Sequence, residues 1–452
     1  MEASWQDRTP RDIAERLKTA GIERAWIARD TISGDLRASH PALDPLAEAM
    51  SAGALDYRDH EALFLAPGPT GQELFGAFIH SSLRGQAQGG LRHCPYPTLE
   101  HFIREGLRLS LDAARTAALA GLWWGGGKGL ISRCAGDDWR KPAYRRSLYR
   151  AYARFVSELR GCYVTAEDAG TSPVDMAEVA ANTRFASCTP PHAGGSGNPS
   201  AMTALGVVEA LEAALEHLDA GPLETQRVAM QGGGNVGQAM LERLLEKGVA
   251  SLVVSDTSAE RCDALRGFFA GTPLQVREVA EDDRSILSEA CDILILNALS
   301  GSLSEATIPN VRARIVCGAA NSSLAREAHD SQQLHERGIL YLPDSVTNSM
   351  GLIASCDEQA GTLPADPAIL ARLDRTNANS IYGLTRLVLA RAAERDEPPV
   401  QIANAIADRA IPERHPIHGD RAQQIVQCLL EPRPCHAGQA ADEDEASTRL
   451  AL

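Results

Sequence analysis

Short apolar segments alternate with amphipathic helical patterns over the middle of the chain. Five of these segments read RVAM (227–230), SLVVSD (251–256), DILIL (292–296), ARIVC (313–317) and ILYL (339–342). Each is short enough for a buried strand, and the sequence between most of them is long enough for a helix. This alternation is typical of parallel strands joined by helices, so the sequence predicts an α/β fold with a doubly wound parallel sheet within residues 198–342.

Two segments outside this region have the apolar spacing of helices. Residues 142–160 carry apolar side chains every three or four positions, and Gly161 follows as a helix-ending residue. Residues 9–20 predict a second helix, with Thr9 as its N-cap and Pro10 in its first turn. The end of the chain is acidic, alanine-rich and aperiodic, which predicts a partly disordered tail within residues 416–452.

Composition and charge argue against several classes of protein. The 452 residues are 44% hydrophobic and 23% charged, as in ordinary globular proteins, and the net charge of -15 disfavours binding to nucleic acid. The ten cysteines include no C-x-x-C pair, so we expect reduced thiols in a cytoplasmic protein, with neither a disulfide framework nor a metal site. The N-terminus lacks the apolar core of a signal peptide, and no apolar run approaches the ~20 residues of a membrane span.

A glycine-rich turn after the first apolar segment fits the pattern G-x-G-x-x-G of dinucleotide-binding domains. Its three glycines would allow a tight turn at Gly232, a close approach of Gly234 to a pyrophosphate, and tight packing of helix on strand at Gly237. Asn235 and Val236 would begin the helix, whose free N–H groups attract phosphates. The sequence therefore predicts a Rossmann-type domain, the alternative being a glycine-rich turn in an unrelated α/β protein.

The next apolar segment ends at Asp256, close to the spacing of ~20 residues expected for the carboxylate that binds a ribose hydroxyl. A carboxylate there would repel a 2′-phosphate, which favours NAD over NADP. Arg261, one turn further on, is the feature that argues the other way.

Two other segments carry groups that could do chemistry. Residues 125–128 (GGGK) lack the spacing of a P-loop, but three glycines indicate a close backbone approach beside the Lys128 ammonium. The alternative is a loop with a surface lysine. Residues 165–171 (TAEDAGT) place Glu167 and Asp168 side by side, although these carboxylates could also belong to the start of a helix at Ser172.

In their order along the chain, these segments resemble the glutamate/leucine/phenylalanine/valine dehydrogenase family, most of all its leucine dehydrogenase branch. The resemblance covers residues 56–415 and rests on seven segments: 89–92, 120–128, 165–171, 195–200, 232–237, 318–321 and 343–348. It implies NAD-dependent oxidative deamination of an L-amino acid, reversible as reductive amination of a 2-oxo acid, by a homo-oligomer. It also implies that the Rossmann domain (198–342) is inserted between a catalytic domain (55–197) and C-terminal helices (343–415) that return to it, after an N-terminal extension (1–54).

The resemblance assigns roles to individual residues. Lys128 would activate water and stabilise an oxyanion, and Asp168 would shuttle a proton on the amino group. The substrate-binding residues that it implies are Gln88, Gly89, Gly90, Thr116, Asn348, Ala378 and Ile381. Besides the fingerprint residues Gly232–Gly237 and Asp256, the cofactor contacts that it implies are Thr171, Asn198, Thr203 and Asn321.

The sequence departs from the family at three positions. Thr116 stands where most members carry a second lysine that binds the substrate α-carboxylate. Arg115 or Arg92 could supply the missing charge, the substrate could lack a free α-carboxylate, or ordinary turnover could be lost. Gln88 replaces an apolar residue, which indicates a polar or unusual substrate side chain unless the amide turns to solvent, and Met350 would narrow the cleft. The alternative functions are therefore a dehydrogenase for an unusual amino substrate and a non-catalytic NAD-binding homologue.

Overall fold

The computed structural model describes residues 5–133, 139–298, 300–363 and 365–431, and their strands form two sheets. The first contains seven strands: β1 (Ala25–Arg29), β2 (Leu36–Ala38), β3 (Ala62–Pro67), β4 (Leu74–Ser81), β5 (Ala87–Pro95), β6 (Gly125–Arg133) and β7 (Tyr163–Glu167). The second contains six: β8 (Arg227–Gln231), β9 (Ser251–Asp256), β10 (Leu274–Glu278), β11 (Ile293–Leu296), β12 (Ile315–Gly318) and β13 (Leu340–Tyr341).

The helices cover the faces of the sheets and fill the junction between them. Those before the second sheet are α1 (Pro10–Thr19), α2 (Asp44–Ser51), α3 (Leu99–Leu119), α4 (Pro142–Glu158), α5 (Pro173–Ala180) and α6 (Ser200–His217). Those within it are α7 (Asn235–Glu246), α8 (Ala259–Phe268) and α9 (Glu327–Glu336). Those after it are α10 (Asp344–Thr347), α11 (Ser349–Asp357), α12 (Pro367–Ala371), α13 (Ile381–Arg395), α14 (Pro399–Ala410) and α15 (Arg421–Leu430).

The second sheet is parallel throughout and has the strand order β10-β9-β8-β11-β12-β13. All five predicted apolar segments lie in its strands, which confirms the doubly wound α/β fold. Strand β10 is absent from the predicted elements, and its residues are only partly buried or exposed at this edge of the sheet. A half-exposed edge strand needs few apolar residues, so its sequence does not differ from that of a loop.

The first sheet has the order β2-β1-β3-β4-β6-β5-β7, with β6 lying between β4 and β5. The segment 125–128 is therefore the start of a central strand, and the alternative of a surface loop is wrong. A Cβ added at Gly126 would lie 2.2 Å from the backbone nitrogen of Ala114 in α3. Glycine is needed here because α3 crosses directly over the strand, and this close packing brings the helix beside the residues that follow in β6.

Both helices predicted outside the second sheet are confirmed. Helix α1 begins after Thr9, whose hydroxyl accepts from the Asp12 N–H while the Asp12 carboxylate accepts from the Thr9 N–H, a reciprocal capping box. Helix α4 buries its predicted apolar face in the core beside the first sheet, through Leu148, Tyr149, Tyr152, Phe155 and Val156.

The structure corrects the predicted boundary at one end of the chain and describes only part of the predicted tail at the other. Residue 54 is not a boundary, because β1 pairs with β3 and α1 packs its apolar face into the same core as Phe78 and Phe102. The predicted extension is thus part of the first sheet's domain. At the other end, residues 421–430 of the predicted tail form α15, which packs on the first sheet's core through Val426 and Leu429. Residues 432–452 lie outside the described residues.

The C-terminal helices connect the two halves of the molecule, because α13 packs against α6 and α14 against α3. Helix α11 contacts both α3 and α6 and so lines the junction between the sheets. Among the residues that the structure describes, no helix has the length and apolar composition needed to cross a membrane.

Candidate active site

The junction between the two sheets forms a cleft of about 440 Å³. From the first sheet and α3 it is lined by Gly89, Gly90, Arg92, Thr116, Lys128, Glu167, Asp168 and Thr171. From the second half of the chain it is lined by Thr203, Gly234, Asn235, Val236, Gly237, Asn321, Asn348, Leu352 and Ser355, among others. Most of the residues that the sequence analysis assigned to substrate or cofactor therefore face one cavity.

Lys128 and Asp168 meet in this cleft, as the sequence analysis expected. Lys128 lies in β6 and Asp168 follows β7, with β5 between them, and the Lys128 ammonium donates a hydrogen bond to the Asp168 carboxylate. Gly90 in β5 makes this contact possible. A Cβ at Gly90 would lie 2.7 Å from the Asp168 Cβ and 2.8 Å from the Glu167 carbonyl oxygen, so any side chain would push Asp168 away.

Burial and neighbouring charges act in opposite directions on this pair. Burial lowers the pKa of Lys128, against the attraction of the Asp168 carboxylate. Burial alone would raise the pKa of Asp168, but the cations of Lys128 and Arg92 hold it below its usual range. The Arg92 guanidinium reaches the same carboxylate, with its Nη2 3.5 Å from the Asp168 Oδ1. The pair therefore combines an ionised carboxylate with an amine that is easier to deprotonate than a free lysine.

Glu167 is a second carboxyl group in the cleft, and the sequence predicts no role for it. Its Oε1 accepts a hydrogen bond from the Asn198 amide at 2.9 Å, whereas its buried Oε2 has no hydrogen-bond partner among the described residues. Burial, followed by the charges of Asp168 and Asp175, raises the pKa of Glu167 to about 8. The adjacent carboxylates were visible in the sequence, but only burial shows that these two titrate far apart.

The loop that carries Asn198 is fastened by Glu358, at the end of α11. The Glu358 carboxylate accepts hydrogen bonds from the backbone N–H groups of Cys188 (2.7 Å), Thr189 (3.2 Å) and Ser196 (3.0 Å). It also accepts from the hydroxyls of Thr189 (2.8 Å) and Ser196 (2.6 Å). This single side chain thereby fixes the loop whose Asn198 amide binds Glu167.

The glycine-rich turn has the geometry that a bound dinucleotide needs. Gly232 has a φ of 91°, and a Cβ on Gly237 would lie 2.2 Å from the Gly232 carbonyl oxygen. A Cβ on Gly234 would meet nothing within 4 Å, so open space lies beside the N-terminus of α7, which no side chain caps. Free helix N–H groups facing open space in the cleft suit the pyrophosphate of a nicotinamide dinucleotide.

Two family models match the chain, and together they cover most of it. A model described as "Glu/Leu/Phe/Val dehydrogenase, dimerisation domain" matches residues 72–185, and one described as "Glutamate/Leucine/Phenylalanine/Valine dehydrogenase" matches residues 194–265 and 259–419. The chain belongs to the Glu/Leu/Phe/Val dehydrogenase family. It is an amino acid dehydrogenase, an oxidoreductase that acts on a CH–NH2 group by oxidative deamination and uses NAD(P).

Individual relatives agree with this assignment. The chain is 38% identical to the valine dehydrogenase of Streptomyces coelicolor over 341 residues, which are 75% of this chain and 88% of the relative. It is 36% identical to the leucine dehydrogenase of Bacillus subtilis over 338 residues, 74% of this chain and 86% of the relative. Among solved structures it resembles L-tryptophan dehydrogenase from Nostoc punctiforme, with a TM-score of 0.58 and 30% identity over 78% of this chain and 96% of that one.

The structure brings several predicted contacts of the dehydrogenase together through hydrogen bonds. The Asn348 amide donates to the Asn321 Oδ1 at 2.6 Å, joining a predicted substrate residue to a predicted cofactor residue. The Thr171 hydroxyl accepts from the Asp168 N–H at 2.9 Å and so fixes the turn that carries Asp168. Asp256 is not among the residues that line the cleft, and its Oδ2 accepts from the Gly233 N–H of the glycine-rich turn at 2.8 Å.

Three other predicted residues do not reach the cleft. Ile381 is buried in the core beside α6, and Ala378 is exposed in the loop before α13, so neither forms a wall of the cavity. Arg375 holds this loop against the outer face of α6 through Glu209. Met350 is fully buried and lies against the backbone of Gly206 in α6, so it does not narrow the cleft.

Gln88 is fully buried, which excludes the alternative that it turns to solvent. Its Nε2 donates to the hydroxyls of Ser187 (3.0 Å) and Ser355 (3.1 Å), whereas its Oε1 has no partner among the described residues. Of these three side chains only that of Ser355 lines the cleft. The amide therefore lies directly behind the cavity wall, where it orients the Ser355 hydroxyl.

Thr116 and Arg115 face different cavities of the dehydrogenase. Thr116 is buried on the face of α3 that lines the cleft. Arg115 lines a second cavity of about 440 Å³ on an adjacent face of α3, where it pairs with Glu327 at 3.2 Å and with Asp408 at 3.0 Å. Of the two arginines proposed to replace the missing lysine, Arg115 is thus bound elsewhere and Arg92 lines the cleft.

Proposed function

We propose that the enzyme deaminates an L-amino acid with NAD as the electron acceptor, and that Lys128 and Asp168 are its catalytic residues. The observation that carries the proposal is the Lys128–Asp168 pair, with Lys128 buried and Asp168 partly exposed, which lines the same cleft as the uncapped N-terminus of α7. A reactive ammonium–carboxylate pair and a site for phosphates within one cavity are the two parts that such a reaction requires.

The two catalytic residues would carry out the proton transfers of the reaction. Asp168, held ionised by Lys128 and Arg92, accepts a proton from the substrate ammonium and leaves a neutral amine. A bound nicotinamide would supply the acceptor for the hydride that leaves Cα, which would convert the amine to an iminium ion. Lys128, once its ammonium has lost a proton to solvent, takes a proton from water as the water oxygen bonds to this carbon, and Asp168 returns its proton to the nitrogen. The C–N bond then breaks as the hydroxyl proton passes to the departing nitrogen, so that ammonium leaves and the 2-oxo acid remains beside the Lys128 ammonium.

Asp256 supports NAD rather than NADP as the cofactor of this enzyme. Its carboxylate lies at the end of β9 and is bound to the Gly233 N–H, beside the glycine-rich turn, where it would repel a 2′-phosphate. The Arg261 Nε donates to the Gly233 carbonyl oxygen at 2.5 Å, but its buried Nη2 has no partner among the described residues, so this arginine is still the feature that argues for NADP. We expect reduction of NAD to exceed that of NADP, and Asp256→Ser to narrow the difference. Equal use of both cofactors by the unaltered enzyme would contradict the assignment.

The same proposal includes a cytoplasmic homo-oligomer that assembles through the first sheet's domain. It is supported by the description of the family model over residues 72–185 as a dimerisation domain and by the acidic, globular composition. Sedimentation of the purified protein measures the assembly, and a monomer at micromolar concentration would contradict it.

Gln88 favours a second candidate, a dehydrogenase for an unusual amino substrate. Because both N–H groups of the Gln88 amide are used, Ser355 accepts from Gln88 and donates its own proton to the Leu352 carbonyl oxygen at 2.9 Å. A lone pair of Ser355 is then left for the cleft, which suits a substrate side chain that donates a hydrogen bond. Homoserine and norvaline have similar size and differ in such a donor, and a preference for norvaline would contradict this candidate.

The test of the main proposal is NAD reduction across a panel of L-amino acids and amines. We expect turnover of at least one amino acid, its loss in Lys128→Ala, and unchanged NAD binding in that variant. Lys247→Ala, which removes a surface lysine paired with Glu212, is the matched control and should remain active. If folded protein that binds NAD turned over no substrate, a non-catalytic homologue would be the correct reading. Thr116→Lys separates the cases, because a gain of leucine or valine turnover requires an otherwise intact site.

A further inference from the structure

The positive charge available to a substrate in the cleft comes from two side chains. Among the described residues that line it, Lys128 and Arg92 are the cationic ones, and Thr116 is neutral. The Lys128 ammonium is bound to Asp168 and has its role in the proton transfers. A carboxylate entering this buried space needs a cation, because an unpaired charge there would be costly. Arg92 is therefore the group whose contacts decide what the cleft can bind.

The Arg92 guanidinium has hydrogen-bonding capacity to spare. Its Nη1 donates to the Glu105 Oε1 at 2.9 Å. Its Nη2 lies 3.5 Å from the Asp168 Oδ1, which leaves an ion pair without a short hydrogen bond, and its buried Nε has no partner among the described residues. Glu105 thus fixes one edge of the guanidinium, while Nη2 remains available on the side of the reacting pair.

Strand geometry directs Arg92 to the substrate. Side chains alternate along a strand, so Gln88, Gly90 and Arg92 of β5 share one face. Gly90 on this face is the residue whose missing side chain lets Lys128 reach Asp168. Arg92 is the next residue on the same face, and its side chain is 15% exposed, at the cleft. It therefore stands beside the reacting groups.

We propose that Arg92 binds the α-carboxylate of the substrate through Nη2, in place of an ammonium at position 116. The inference rests on the proposed deamination and deepens it: the substrate class is α-amino carboxylates, and simple amines are excluded. The charges of a zwitterionic amino acid then match the cleft, with its carboxylate on Arg92 and its ammonium on Asp168. Hydrogen bonds between charged partners also provide the orientation that hydride removal from Cα requires.

The test compares Arg92→Met and Arg92→Lys with Arg115→Met as the matched control. The probes are the best amino acid of the panel, the amine that lacks its carboxylate, and a saturated fatty acid with the same carbon skeleton as inhibitor. A lost charged hydrogen bond corresponds to a factor of about 10–100 in binding. We expect Arg92→Met to raise KM for the amino acid and Ki for the fatty acid by about this factor, and Arg92→Lys to recover part of it. Arg115→Met should change neither constant.

Rescue and direct binding distinguish this role from a structural one. Adding Thr116→Lys to Arg92→Met should restore binding of the fatty acid, since it returns a cation to the cleft. If Arg92 served only to position Asp168, kcat and its pH profile would change while the Ki of the fatty acid stayed constant, and that result would overturn the proposal. Efficient turnover of the amine by the unaltered enzyme would also overturn it. Calorimetry measures binding of the fatty acid to the NAD-loaded protein, so it tests the role of Arg92 even if no substrate of the panel is turned over. Absence of turnover would contradict the proposed function alone.

Discussion

Replacing Gly90 with alanine adds one methyl group at the point where three strands bring Lys128 and Asp168 together. The new Cβ would lie 2.7 Å from the Asp168 Cβ, 2.8 Å from the Glu167 carbonyl oxygen and 3.1 Å from the Asp168 Oδ2. Ordinary contacts of this kind are about 3.5 Å or longer, so the two sides must separate by roughly 0.7 Å. The Glu167 oxygen belongs to the backbone of β7, which cannot move without disturbing its pairing with β5.

Two magnitudes follow from this displacement. Overpacking of a well-packed site costs about 1–3 kcal/mol of the free energy of unfolding. A shift of catalytic groups by about 1 Å reduces a rate by roughly 100-fold. We therefore expect Gly90→Ala to lower kcat by about 100-fold while NAD binding is retained, because the glycine-rich turn lies in the other half of the molecule.

The assay measures kcat and KM with the best substrate, the NAD dissociation constant by fluorescence, and the thermal midpoint. Gly267→Ala is the matched control, because a Cβ at this exposed position in α8 would meet nothing within 4 Å. Helix propensity predicts that it leaves activity unchanged and stabilises the protein by up to about 1 kcal/mol. A Gly90→Ala enzyme with kcat within threefold of the unaltered protein would refute the reasoning, since Asp168 would then have moved without consequence or not at all.

Two further predictions concern the carboxylates around the cleft. Burial and Asp168 raise the pKa of Glu167 from an ordinary 4.5 to about 8, so the native protein loses stability as pH rises through this window. Glu167→Gln should therefore change the thermal midpoint little near pH 4.5 and raise it near pH 8; an equal shift at both pH values would show that Glu167 is ionised throughout. Glu358→Ala removes the acceptor of five hydrogen bonds and should destabilise the protein by about 2–3 kcal/mol. Hydrogen exchange should speed up in residues 188–196 of that variant. Unchanged exchange there would contradict the inference that Glu358 fixes this loop.

The parts of the fold that the sequence predicted are those in which local pattern and burial agree. Strands β8, β9, β11, β12 and β13 are apolar because both faces of a parallel sheet are covered. Strand β6 escaped the same reasoning, because its glycines have low strand propensity and are required by a helix that is remote in sequence. The contact of Gly126 with Ala114 is a tertiary fact that no window of local sequence contains.

The candidate site divides in a similar way. Segments such as 125–128 and 165–171 could be recognised because glycines and charged residues occur in a rare combination, and their side chains do line the cleft. Ala378 and Ile381 were inferred from the resemblance by position alone, in a region without such a combination of glycines and charged residues. The packing of α13 on α6 places them away from the cleft. The choice between Arg92 and Arg115 was open in the sequence, because it depends on which cavity each side chain lines: Arg115 of α3 lines the second cavity, whereas Arg92 of β5 lines the cleft.

The pairing of β1 with β3 has a practical consequence for shortening the protein. The family model begins at residue 72, between β3 and β4, so trimming to that match would remove three of the seven strands of the first sheet. Every residue of β4 is buried, and it would become the new edge, with unpaired backbone groups and an apolar face that α1 and α2 no longer cover. Such an edge is a template for intermolecular pairing, and a protein trimmed in this way would be prone to aggregate.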